Sequence, residues 1–119
     1  MGLRDIANRL RGSDVDPDAA RLHDRFHDLQ LMPIADLQYR IPARIGGEIK
    51  RILVAPRQGI PALELVVSDG TGDAVAVFTG RRHIAGLENG RSLMLEGVAR
   101  DERGRRVMLN PAYTLMGRD

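Results

Sequence analysis

Two short apolar runs, LELVV at positions 63–67 and AVAVF at positions 74–78, flank the hexapeptide SDGTGD, Ser68 to Asp73. Leu63, Leu65 and Val67 alternate with Glu64, Val66 and Ser68, and Val75 and Val77 alternate with Ala74, Ala76 and Phe78. A period of two sends successive side chains to opposite faces of an extended strand, so these runs form sheet rather than helix. The spacer is turn chemistry, and the whole reads as an antiparallel hairpin. Val75 and Val77 are expected on the core side, with Phe78 on the opposite face. A phosphate-cradling glycine loop leads from a strand into a helix and carries a lysine; SDGTGD leads from strand to strand and has none. Its glycines therefore serve the turn. Calcium at Asp69 and Asp73 would need more oxygen ligands than the loop offers.

The same period continues on both sides. ARIGGEIKRILVAP is a strand in which the pair Gly46-Gly47 allows a bend or bulge, and Pro56 to Pro61 make a turn. RRHIAGLENG is a short helical or irregular connection closed by Asn89-Gly90. RSLMLEGVAR is a fourth strand, DERGR a tight turn, and RVMLNPAYTLM a fifth strand interrupted at Pro111. Five short alternating strands predict a mainly β fold, a small five-stranded barrel.

Upstream the period is helical. Leu3, Ile6 and Leu10 in GLRDIANRL fit a short amphipathic helix ended by Gly12-Ser13. Asp16-Pro17-Asp18 starts a second helix, because Asp16 can cap, Pro17 suits the first turn and Asp18 faces the positive end of the dipole. Ala19, Leu22, Phe26 and Leu29 form its apolar stripe, and the helix should run to about Leu31, before Pro33. The chain thus divides into a helical extension, 1–32, and a barrel domain, 33–119. The extension either packs on the barrel or recruits a protein partner. His23 and His27, four apart, share a helix face and could chelate a metal with Asp24 or Asp28, but no third ligand is placed elsewhere, and no metal is expected. His83 is expected on the surface.

Composition narrows the function. The 119 residues contain no cysteine, which removes disulfides, thiolate metal sites and cysteine nucleophiles. No apolar run approaches the ~18 residues of a membrane span, and MGLRDIANRLRG is too polar for a signal peptide, so the expectation is a cytoplasmic protein without membrane contact. Up to Tyr39, five arginines face seven aspartates; from Arg40 onward, thirteen bases face nine acids. The barrel half carries the positive field, which suits an anionic partner. Every base except Lys50 is arginine.

Gly47, LVVSDGTGDAVAVF, GLENGRSLMLEGVAR and VMLNPAY together resemble the oligonucleotide/oligosaccharide-binding (OB) fold of the nucleic-acid-binding type. The pattern of DG(S/T)G, an aliphatic strand ending in an aromatic, and a final nP.Y resembles the wedge OB domain of the RecG helicase. It is closer to small actinobacterial OB-fold nucleic-acid-binding domain proteins, in which an acidic helical segment precedes a stretch like Pro33-Ile34-Ala35-Asp36. The resemblance covers about residues 33–116 and includes no helicase motor, so helicase activity does not carry over.

Under that resemblance a ligand crosses the second and third strands between the loop joining strands one and two and the loop joining strands four and five. The first presents Arg57, preceded by Lys50 and Arg51. The second presents Arg100, Arg103, Arg105 and Arg106, while Arg81 and Arg82 follow the third strand. Convergence of these groups would track a phosphate backbone; Asp73, Glu88, Asp101 and Glu102 oppose them. The aromatic set is small: Phe26, Tyr39, Phe78 and Tyr113. Phe78 is the first candidate for stacking on a base, then Tyr113 and Tyr39, with core packing as the alternative use of each. The expectation is a non-enzymatic protein without cofactor that binds single-stranded DNA or RNA weakly and with sequence tolerance. The alternative is an adaptor whose barrel or N-terminal helices bind protein.

Overall fold

The computed structural model describes residues 16–117, so the helix expected over GLRDIANRL lies outside the described residues. Helix α1 spans Pro17–Phe26, with the Asp16 carboxylate accepting from the Asp18 amide at 3.0 Å and Pro17 in the first turn. It ends sooner than Leu31: a 3-10 turn, His27–Leu29, follows, and Gln30 at φ 55° stops the spiral. Among the described residues, no helix is long and apolar enough to cross a membrane.

Six strands follow: β1 Pro42–Val54, β2 Ala62–Ser68, β3 Asp73–Thr79, β4 Ser92–Glu102, β5 Arg105–Leu109 and β6 Ala112–Leu115. Five of them close a ring, β1-β2-β3-β5-β4 and back to β1, in which only β3 and β5 run parallel. This is the expected OB-like barrel. Closure rests on β1, which pairs with β4 from Pro42 to Glu48 and with β2 from Glu48 to Val54. The register breaks between Ile49 and Arg51, so the bulge falls at Lys50 and not at the glycine pair. Gly46 instead makes room: a Cβ there would lie 2.6 Å from Leu31 and 2.9 Å from Phe26.

The interrupted fifth strand is two strands on one edge of β4. Met108 opposes Ala99 and Ala112 opposes Glu96, a slip of one residue at Asn110-Pro111. Asn110, at φ 48°, makes the slip useful, because its amide donates to the Val77 carbonyl at 2.6 Å and its Oδ1 accepts from the Thr79 amide at 2.9 Å. The connection after β3 is irregular rather than helical, and Ile84 and Leu87 insert from it into the core.

The barrel interior gathers Ile34, Ile45, Ile49, Leu63, Leu65, Val67, Ala74, Ala76, Phe78, Leu93, Leu95, Ala99 and Met108. The face assignment of β3 is therefore the reverse of the sequence expectation. Ala74, Ala76 and Phe78 point inward, while Val75 and Val77 join Ala62, Val66 and Val107 in a second apolar layer outside the barrel wall. The small alanines thus take the inner face, and the bulkier valines are buried by packing on one another and on the outer face of β2 and β5.

The SDGTGD turn is a structural joint. Buried Asp69 accepts from the Thr71 amide at 2.9 Å, the Thr71 hydroxyl at 2.6 Å and the Gly72 amide at 3.3 Å, and its other oxygen takes the Ile34 amide at 2.9 Å. Helix α1 lies against this turn, so that a Cβ on Gly70, at φ 88°, would sit 2.1 Å from the Ala19 carbonyl oxygen. Leu22 and Phe26 are buried, whereas Leu29 is 41% exposed, so the stripe packs on its own barrel over two turns. Gly70→Ala meets both a steric and a backbone penalty and should cost at least ~2 kcal/mol. Gly104→Ala, at φ 84° in open space, should cost about 1 kcal/mol; urea midpoints compare the two.

Candidate functional site

Two hairpin loops meet over the outer face of β2, β3 and β5. In the β1–β2 loop, Arg57 and Ile60 exchange backbone hydrogen bonds of 2.8 and 2.9 Å around Gln58 at φ 51° and Gly59 at φ 78°. In the β4–β5 loop, Arg103 at φ 56° and Gly104 at φ 84° form the turn, and the Asp101 carboxylate accepts from the Gly104 amide at 2.8 Å. Positive φ at both central residues matches the twist of the flanking strands, so both loops are short and stiff.

The loops are joined by an ion pair. Arg57 forks onto Glu102, Nη1 to Oε2 at 3.1 Å and Nη2 to Oε1 at 2.8 Å, with each side chain 23% exposed. Arg100 donates from Nε to the same Oε2 at 2.7 Å and adds a second short contact through Nη2. Beneath this clamp Glu64, buried on β2, pairs with Arg105 at 3.3 Å. Together the clamp and Arg105 form a charged layer over the second apolar layer. Three arginines face two glutamates there, leaving one excess positive charge.

This neutralisation has a titration signature. The Arg57 guanidinium first, then Arg100, hold the Glu102 carboxyl down to about 2 from its ordinary 4.5. A carboxyl depressed on folding stabilises the native state above its unfolded value, and that contribution fades as pH falls through the folded one. Stability should therefore decline from about pH 4.5 to about pH 2, and Glu102→Gln should flatten that part of the curve.

The remaining candidates separate into groups. Lys50 leaves the cleft: its Nζ reaches Asp18 of α1 at 2.6 Å and Glu48 at 3.3 Å, in a cluster with Arg21 that ties the helix to the bulge of β1. Arg106 turns toward the β2–β3 turn, with Nη1 3.3 Å from the Asp73 carbonyl oxygen. Arg51, Arg81, Arg82 and Arg103 are exposed and, among the described residues, have no side-chain partner. The Gly80 amide donates to Pro61 at 2.7 Å, which brings Arg81 and Arg82 to the base of the β1–β2 loop. His83 is exposed beside them.

Phe78 is 7% exposed and meets Tyr113 edge-on at 5.7 Å. Its ring lies in the barrel core, so Phe78→Ala should cost ~3–5 kcal/mol of stability, read as a fall in the thermal midpoint. The exposed aromatics are Tyr39 and Tyr113, at 42% and 40%. Tyr39, Arg40, Arg100, Asp101 and Glu102 line a concavity of about 400 Å³ on the outer flank of the clamp. Glu64, which pairs with Arg105, is not among the acids that the sequence sets against the basic loops. The one available signal for Glu64 was a charge set within the apolar run LELVV.

His23, Asp24 and His27 bring one ligand atom each within 4.8 Å of one another. The two imidazoles stack at 5.2 Å, and His27 Nδ1 lies 3.2 and 3.1 Å from the carbonyl oxygens of His23 and Asp24. All three groups come from one helical segment, and Asp69, which lines the adjoining small cavity, is committed to its own turn.

No protein-family model matches the chain, and no curated protein matches it by sequence. Its fold is similar to that of a chain in a replication protein A heterotrimer bound to ssDNA, with a TM-score of 0.50 and 14% identity. The match covers 65% of this chain and 58% of the other. At that identity the likeness is one of fold, and it agrees with the OB-like ring of strands.

Proposed function

We propose that the protein is a non-enzymatic single-stranded nucleic-acid-binding OB-fold protein, following the phosphate backbone with its basic loops. The observation that carries this reading is the set of exposed cations Arg51, Arg81, Arg82 and Arg103, which have no side-chain partner among the described residues, around an OB-like barrel. Holding cations apart from acids costs Coulomb energy that an anionic ligand recovers, and the loop positions suit a ligand laid across the sheet. The likeness to a barrel chain solved in an ssDNA complex supports the same choice. With the outer face largely self-neutralised and Phe78 in the core, binding rests on backbone contacts. Affinity should be about micromolar and nearly independent of sequence.

Fluorescence anisotropy of a labelled ~20-nucleotide single strand, DNA and RNA in parallel beside a duplex, tests the reading at about 50 and 150 mM salt. The logarithm of affinity should fall with that of salt concentration by ~0.7 for each phosphate neutralised. Reversing Arg81, Arg82 and Arg103 to glutamate should abolish binding with the fold intact. Binding that ignores salt, or that survives the triple reversal, would overturn the backbone reading.

A further inference from the structure

The arrangement around Glu102 is an anion seat whose occupant is the protein's own carboxylate. Two guanidinium groups from different elements, Arg57 of the β1–β2 loop and Arg100 of β4, converge on it. Such convergence matches the tetrahedral oxygens of a phosphodiester as well as a planar carboxylate, because each guanidinium offers a fork of donors. Glu102 does not use every donor: Arg57 Nε is buried with no partner among the described residues. The seat also opens outward, since Arg100 is 51% exposed and the adjoining concavity holds Tyr39 and Arg40. An exposed ring beside an anion seat is the pairing that a nucleotide needs, one surface for the base and one for the phosphate.

Resting on the nucleic-acid reading above, we propose that Arg57 and Arg100 form a phosphate subsite which Glu102 fills in the free protein. A strand phosphate displaces that carboxylate, and the neighbouring base stacks on Tyr39. Glu102 then acts as an internal competitor. It keeps the loops together and the seat screened until a polyanion, with several phosphates acting at once, outcompetes a single carboxylate. This places one nucleotide on the β1–β4 flank of the clamp, beside Tyr39 and not over Phe78.

The test uses the full chain and the same ~20-nucleotide strand. Glu102→Gln keeps the shape of the side chain and removes its charge, so affinity should rise at least about threefold, while the salt slope should stay the same because a strand phosphate fills the seat in both complexes. Tyr39→Ala should weaken binding about tenfold and Tyr39→Phe should restore it, as stacking needs the ring and not the hydroxyl. The exposed Tyr39 pair keeps the proposal open to refutation if Glu102→Gln unfolds. If wild type binds while folded Glu102→Gln binds equally or more weakly, the subsite is wrong and the nucleic-acid reading stands. Unchanged affinity in Tyr39→Ala likewise overturns the base position. If neither wild type nor Glu102→Gln binds either strand at low salt, both readings fall.

Discussion

The barrel depends on the double pairing of β1. One strand of thirteen residues gives its first half to β4 and its second half to β2, and the ring closes because the two halves diverge at Glu48. A flat strand could not do this. The chain bends by combining a glycine, Gly46, that admits Phe26 and Leu31 at close range with a bulge that raises the local twist. Closure removes most open edges, buries Ile45 and Ile49 completely, and holds β3 next to β5 in parallel without any direct connection. Everything outside the barrel is positioned by that ring, including the two loops that meet across it.

Electrostatics on the outer wall follow from how the ring presents its loops. Val75, Val77 and Val107 would be an exposed apolar patch on an ordinary outer surface, yet they are buried. They pack on one another with Ala62 and Val66, and on the same side of the barrel the guanidinium heads of Arg57 and Arg105 meet Glu102 and Glu64. A clamp of opposite charges holds the loops without the repulsion that three arginines alone would create. The consequence for recognition is a division of labour among the cations. Some are structural at rest, and others have no side-chain partner among the described residues.

Much of this was legible locally. Strand periodicity located the first four strands, Pro111 marked the one-residue slip, and Asp16 and Pro17 fixed the start of α1. The resemblance to OB-fold sequences agreed with the ring that closed. The end of α1 was less legible, because Leu29 and Leu31 continue a helical pattern while Gln30 adopts positive φ to turn the chain toward the barrel. The glycine pair suggested a bulge, but Gly46 instead lets Phe26 of α1 pack on β1, a contact between segments about twenty residues apart that no local window contains.

By itself the sequence determined that β3 has two distinct faces, that SDGTGD is a turn, and that arginines crowd the loops. These are properties of neighbours along the chain, fixed by backbone period and by which residues tolerate positive φ. Which face of β3 points inward, and which arginines remain available to a ligand, only the tertiary structure decided. The first depends on which side the ring closes. The second depends on whether an acid from a distant segment arrives within about 3 Å, as Glu102 does at Arg57. Charge partnership acts through space, and forty-five positions of chain separate those two residues.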